Sequence, residues 1–200
     1  MREGKTMKMV LMGLGLIAAS LPAAAQAETR QLGTHLHGHG HLDVAAENDA
    51  LSMELRVAGA DIVGFEHLPA SAAEQAAIEA ALATLSDSSS LFTFPAAAAC
   101  RQESAEASLV VLSDPAEDEP HGHSHSHAHA EDKVDGGHAE FHSRYLFICD
   151  NPAALDRIAL SYFEAFTNAQ ELTVQLVADG ASFGHVVTRA APVLDLPRRF

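Results

Sequence analysis

Between Asp114 and Gly137 the chain abandons the composition of a folded protein. The stretch holds Pro, Gly, acids and hardly an aliphatic residue, and its centre reads H-G-H-S-H-S-H-A-H from His121 to His129. Such a segment cannot offset the entropy of ordering its own backbone. It is therefore read as a disordered loop, and any core has to be assembled from the sequence on its two sides. That predicts a single domain made of two halves, with residues 114–137 inserted between them.

Both flanks carry the pattern of half-buried strands. Leu42, Val44 and Ala46 alternate with Asp43, Ala45 and Glu47, Asn48-Asp49 marks a turn, and Leu51, Met53, Leu55 and Val57 alternate again, so Leu42–Val63 reads as a hairpin. Ser71 and Glu74 form an S-x-x-E capping box ahead of an Ile78, Leu82, Leu85 stripe, which predicts a helix ending at Ser86-Asp87-Ser88. Leu91–Phe94, stopping at Pro95, and Leu109–Leu112 read as short strands. In the second half, His138–Cys149 alternates Phe141, Ser143, Tyr145 and Phe147 against His138, Glu140, His142 and Arg144. Past Asn151-Pro152, a helical stripe from Leu155 to Phe166 and a short strand within Arg157–Tyr162 both fit. Leu172–Val177, the turn Asp179-Gly180 and Phe183–Thr188 form a last hairpin, and Pro192–Phe200 reads as a peripheral tail. The expectation is an α+β fold: one domain of antiparallel β-rich halves with one clear helix.

Met1–Ala27 has the order of a cleaved export signal. Arg2, Lys5 and Lys8 precede an apolar run, Met9–Leu21, and Ala25-Gln26-Ala27 is an A-x-A cleavage site. The apolar run is shorter than the ~18 residues a membrane anchor needs. Residues 28–200 are thus expected as a soluble, exported mature domain. In an oxidising compartment the default for the two cysteines, Cys100 and Cys149, is a disulfide. It would close a loop of about 50 residues around the histidine stretch, worth ~4 kcal/mol in the chain-entropy picture. The alternative is that both act as thiolate ligands.

A formal charge of −15 argues against nucleic acid as a partner and suits attraction of cations. Neutral imidazole is a favoured ligand for zinc and also suits copper and nickel. His121, His123, His125, His127 and His129 can supply several overlapping four-ligand sets, which favours fast exchange over a structural ion. His35, His37, His39 and His41 share one face if the first strand extends backward, because strand side chains repeat every two residues. Glu66 and His67 sit in the connector Ile62–Pro69, and His138 and His142 on one strand face ~13 Å apart. His185 reads as a surface residue. Two enzyme motifs fail on context. H-A-E-F-H has Glu140 third where a zincin base stands second, and G-A-S-F-G around Ser182 lacks the helix of a nucleophile elbow.

The ordered set H-x-H-G-x-G-H-L-D-V, I-V-G-F-E-H-L-P, the His/acid insertion, H-A-E-F-H-S-R-Y-L-F-I-C and E-L-T-V-Q-L-V resembles the periplasmic zinc-regulated ZrgA family of Gram-negative bacteria across Leu32–Leu196. The resemblance implies Zn2+ binding in support of zinc uptake, with delivery to the solute-binding protein of a zinc ABC importer. The ligand regions it implies are His35–His41, Glu66-His67, His121–His129 and His138/His142. A buffer or resistance protein for excess copper, nickel or zinc is the second reading, and a metallohydrolase with a fixed three-ligand site the third.

Overall fold

Alternating apolar residues organise the fold, seen here in a computed structural model that describes residues 37–112 and 138–197. The described residues belong to one unit, Thr34–Phe200. Strands β1 (His39–Glu47) and β2 (Ala50–Ala58) form the first hairpin, turning at Asn48, whose φ of 56° suits an asparagine. Strands β4 (Cys100–Leu112) and β5 (His138–Cys149) flank the insertion, with Leu112 opposite His138. Strands β7 (Glu171–Ala178) and β8 (Ala181–Thr188) form the last hairpin, where Asp179 and Gly180 both take positive φ, as a type I′ turn requires.

These six strands make one sheet in the order β4-β5-β2-β1-β7-β8. Leu42, Val44, Leu51, Met53, Leu55, Phe141, Tyr145, Phe147, Leu172, Val174 and Leu176 line its buried face, as period-two alternation dictates. Against that face pack the helix α2 (Ala72–Ser86), which follows the one-turn helix α1 (Gly59–Ile62), and a second sheet. The second sheet has the order β3-β6-β9, from β3 (Phe92–Thr93), β6 (Arg157–Leu160) and β9 (Val193–Asp195). The capping box is present: Ser71 Oγ accepts from Glu74 N–H, and the Glu74 carboxylate accepts from Ser71 N–H. The Tyr145 hydroxyl donates to Leu85 C=O across 2.8 Å and fastens α2 to β5. Cys100 and Cys149 face each other on β4 and β5 and are joined by a disulfide.

The structure departs from the sequence reading in four places. Where antiparallel halves were expected, β1 lies between β2 and β7 and pairs with β7 in parallel, among otherwise antiparallel pairs. The first hairpin stops at Ala58. A Cβ on Gly59 would lie 2.5 Å from Phe65 C=O and 3.0 Å from Ala139 C=O, so the chain crosses under its own loop there. Strand β4 is 13 residues long, because an edge strand can be polar on both faces and gives no alternation to detect. Of the two readings open beyond Asn151-Pro152, the short strand within Arg157–Tyr162 is the one present, as β6, followed by the one-turn helix α3 (Tyr162–Ala165). The tail is not peripheral: β9 pairs with β6 and buries Leu194, and Leu196, just past the strand, is buried as well.

Candidate metal centre

The starts of β1, β5 and β7 lie at one end of the large sheet, and the short helix α1 and the loop behind it sit there too. Gly38 is the pivot. Its φ of 86° is the left-handed conformation that glycine adopts without strain. Its N–H donates to Asp61 Oδ1 at 2.5 Å, and its C=O accepts from Gln170 N–H (2.9 Å) and Glu171 N–H (2.8 Å). Fixed in this way, Gly38 sends the histidines on its two sides to different carboxylates. His37 Nε2 stands 3.7 Å from Glu66 Oε1, and His39 Nδ1 stands 3.3 Å from Glu171 Oε1.

Glu66 is held in place by its own backbone, since its C=O accepts from Ala139 N–H at 2.7 Å. Its side chain is only 15% exposed, and Oε2 takes His138 Nδ1 at 2.9 Å. Oε1 is buried with no hydrogen-bond partner among the described residues. Asp61 Oδ2 is in the same condition, in a residue 2% exposed. Burial raises the Asp61 pKa above its ordinary value, with the Gly38 N–H and His37 pulling the other way. A leftover carboxylate oxygen in a dry place is costly unless a proton or cation answers it. Both carboxylates line an open cleft of about 530 Å³, walled also by His37, Phe65, Asn168 and Gln170. The far wall is fixed by Asn168, which donates to Ala60 C=O at 3.0 Å, and by Arg189, which donates to the carbonyls of Phe163, Phe166 and Ala169.

The other candidate residues fall outside this cluster. His67 stacks on Phe65 at 4.9 Å. Its Nδ1 lies 2.8 Å from Leu68 C=O, so that nitrogen carries the proton, and Nε2 is 3.9 Å from Glu74 Oε1. Glu74 is held below the ordinary carboxylate range by the Ala70 N–H, among other donors of the helix cap. His142 Nε2 bonds Glu140 Oε2 at 2.8 Å. Strand β5 runs unbroken from His138 to Cys149, so His138 and His142 are kept apart on it. His41 lies on β1 opposite Arg56, and His185 on β8 opposite Val174. His35 and the stretch from His121 to His129 lie outside the described residues. Among the described residues, no group of three or more His, Cys, Asp or Glu is arranged to hold an ion by itself.

Glu140 and Ser182 both lie on strands, so neither the zincin helix nor a strand-to-helix elbow is present at those motifs. Among the described residues no helix is long and apolar enough to cross a membrane. Over residues 34–196 the chain matches the family described as ZrgA family zinc uptake protein. It belongs to that family. No individual curated protein matches the chain. The family description names zinc uptake, and the cleft holds two buried carboxylate oxygens without a hydrogen-bond partner among the described residues. Sequence reading missed Asp61 and Glu171 here. The usable signal for Asp61 was an acid inside the apolar run Ala60–Phe65; Glu171 was hidden as the polar first residue of a strand.

Proposed function

We propose that this ZrgA family member captures Zn2+ in the periplasm through its histidine clusters and supports zinc uptake by passing the ion toward a zinc ABC importer. The observation that carries this reading is Glu66 Oε1, buried, without a hydrogen-bond partner among the described residues and 3.7 Å from His37 Nε2. Two ligand atoms on a tetrahedral zinc, each ~2.0–2.2 Å from the metal, lie roughly 3.4 Å apart. The His37–Glu66 and His39–Glu171 separations of 3.7 and 3.3 Å lie on either side of that value, whereas His138–Glu66 and His142–Glu140, at 2.9 and 2.8 Å, are ordinary hydrogen bonds. In this reading His37 and Glu66 are ligands, and His138 orients the carboxylate from its other side, as outer-shell partners of metal ligands do. Asp61 supplies negative potential beneath them.

The insertion leaves the sheet at Leu112 and returns at His138, which bonds Glu66, and its sequence carries the five imidazoles of His121–His129. They supply additional ligands and raise the local concentration of the ion. A site completed by ligands from several segments releases metal more readily than a closed four-ligand cage, which suits delivery. The amino-terminal 27 residues act as the export signal.

The test is a competition titration of the mature, metal-stripped protein against a zinc indicator. Glu66→Gln or His37→Ala weakens zinc on the order of 10–100-fold, and affinity falls steeply on acidification as protons compete for imidazole nitrogen. Unchanged affinity in both variants removes the cleft from the account. Affinity that does not vary between neutral and mildly acidic pH contradicts imidazole ligation altogether.

A further inference from the structure

The large sheet has two edges, and they are built in opposite ways. On β4 the edge carries Arg101, Glu103 and Glu106, and its register slips between Gln102 and Ser104. Charges and a bulge are the devices by which natural sheets refuse a further strand. On β8, A-S-F-G-H-V-V-T, there is no Asp, Glu, Lys, Arg or Pro and no register slip against β7. The hairpin it belongs to exposes Val177 (45%), Phe183 and Val186 (61%). Among the described residues no strand pairs with its outer side.

The backbone of β8 is set up for pairing. Ala178 and Ala181 flank a two-residue turn, so they exchange both hydrogen bonds, and the bonded pairs then alternate along the ladder. Ser182, Gly184 and Val186 consequently turn their N–H and C=O groups away from β7. Thr188, next in that series, has its C=O taken by Ala191 N–H, which ends the open stretch.

We propose that β8 is a self-association edge on which a second copy of this chain pairs antiparallel across a two-fold axis. Two features favour a second copy as the occupant. First, a two-fold axis through His185 sets Val186 of each copy opposite Gly184 of the other. The space beside Gly184 is open, with no atom within 4 Å of a Cβ built there, so each valine fills a gap that the other chain leaves. An isologous contact needs this kind of self-complementarity. Second, each chain carries a formal charge of −15, and β8 is a stretch where two copies meet without bringing formal charges together. The result is a continuous sheet of two molecules, with the metal clefts at its periphery. This surface is independent of the zinc reading.

The test is sedimentation analysis of the mature, disulfide-bonded protein in chelator, which removes bridging by metal. The expected result is a reversible dimer that tightens as salt is added, because screening weakens repulsion between the two acidic bodies. Val186→Lys and Gly184→Lys place charge on the edge at positions where the monomer has room, and each raises the dimer dissociation constant by ~10-fold or more. Leu68→Lys, at a residue 54% exposed outside the hairpin, leaves the dimer unchanged. A protein that is monomeric at every concentration overturns the proposal. So does a dimer that survives both lysine variants with its circular dichroism intact.

Discussion

The two ends of the large sheet solve opposite problems. At one end β1 turns into β2 at Asn48-Asp49, β7 turns into β8 at Asp179-Gly180, and the Cys100–Cys149 disulfide joins β4 to β5. Those connections are short, and the turn residues match their backbone conformation. At the other end α1, the Ile62–Pro69 connector and the turn at Gly38 bring Asp61, Glu66, His37, His39, His138 and Glu171 together. Two buried carboxylate oxygens there have no hydrogen-bond partner among the described residues. The contrast teaches where this fold keeps its stability and where it gives some up: the closed end clamps the strands, and the open end carries unsatisfied charge that a cation can answer.

The largest expected effect comes from opening the clamp. Replacing both cysteines by alanine releases a cross-link spanning 49 residues and lowers unfolding free energy by ~4 kcal/mol in chemical denaturation. Zinc affinity of the folded fraction stays the same if the two ends are separate, so a large loss of affinity breaks the comparison.

Gly59→Ala is next. Its Cβ meets the Phe65 and Ala139 carbonyls, so the connector carrying Glu66 has to move. The expected cost is ~2 kcal/mol of stability together with weaker zinc binding, read by thermal unfolding and metal titration. An intact affinity would show that the position of Glu66 is not critical.

Asp61→Asn sharpens the contrast because stability and binding shift in opposite directions. Asparagine keeps an oxygen for the Gly38 N–H and removes a buried charge, so the metal-free protein gains ~1–2 kcal/mol at neutral pH. The sign follows from linkage. Burial raises the Asp61 carboxyl above its ordinary 3.8, so the folded chain binds that proton more tightly than the unfolded one. The contribution of this group to stability is full below pH ~4 and is lost as pH rises through the raised value. Denaturation midpoints of wild type and variant should therefore diverge as pH rises through that range, while zinc affinity of the variant falls.

Ser71→Ala has the smallest effect, ~1 kcal/mol from the lost helix cap, and leaves zinc untouched because α2 contributes to the core and not to the cleft.

How much of this was legible in the sequence followed local physics. The strands β1, β2, β5 and β7 announce themselves through Leu42, Leu55, Phe141 and Leu176, since each has one wet and one dry face. The helix start at Ser71 is written in two residues. What could not be read depends on pairing across long separations. Nothing local says that β1 runs parallel to β7, or that Leu194 and Leu196 finish the core. The cleft was half visible: His37, Glu66 and His138 stood out by residue type, but their meeting is set by Gly38, Gly59 and the Ala139–Glu66 backbone bond. The family resemblance supplied the zinc context and not the geometry.

The most direct measurement of the central claim is calorimetric titration of the mature, metal-stripped protein with zinc, with residues 114–137 present and deleted. The account predicts that deletion lowers the stoichiometry and leaves a weaker site that Glu66→Gln abolishes. Stoichiometry and affinity unchanged by the deletion, or no zinc uptake by the intact protein at neutral pH, would contradict it.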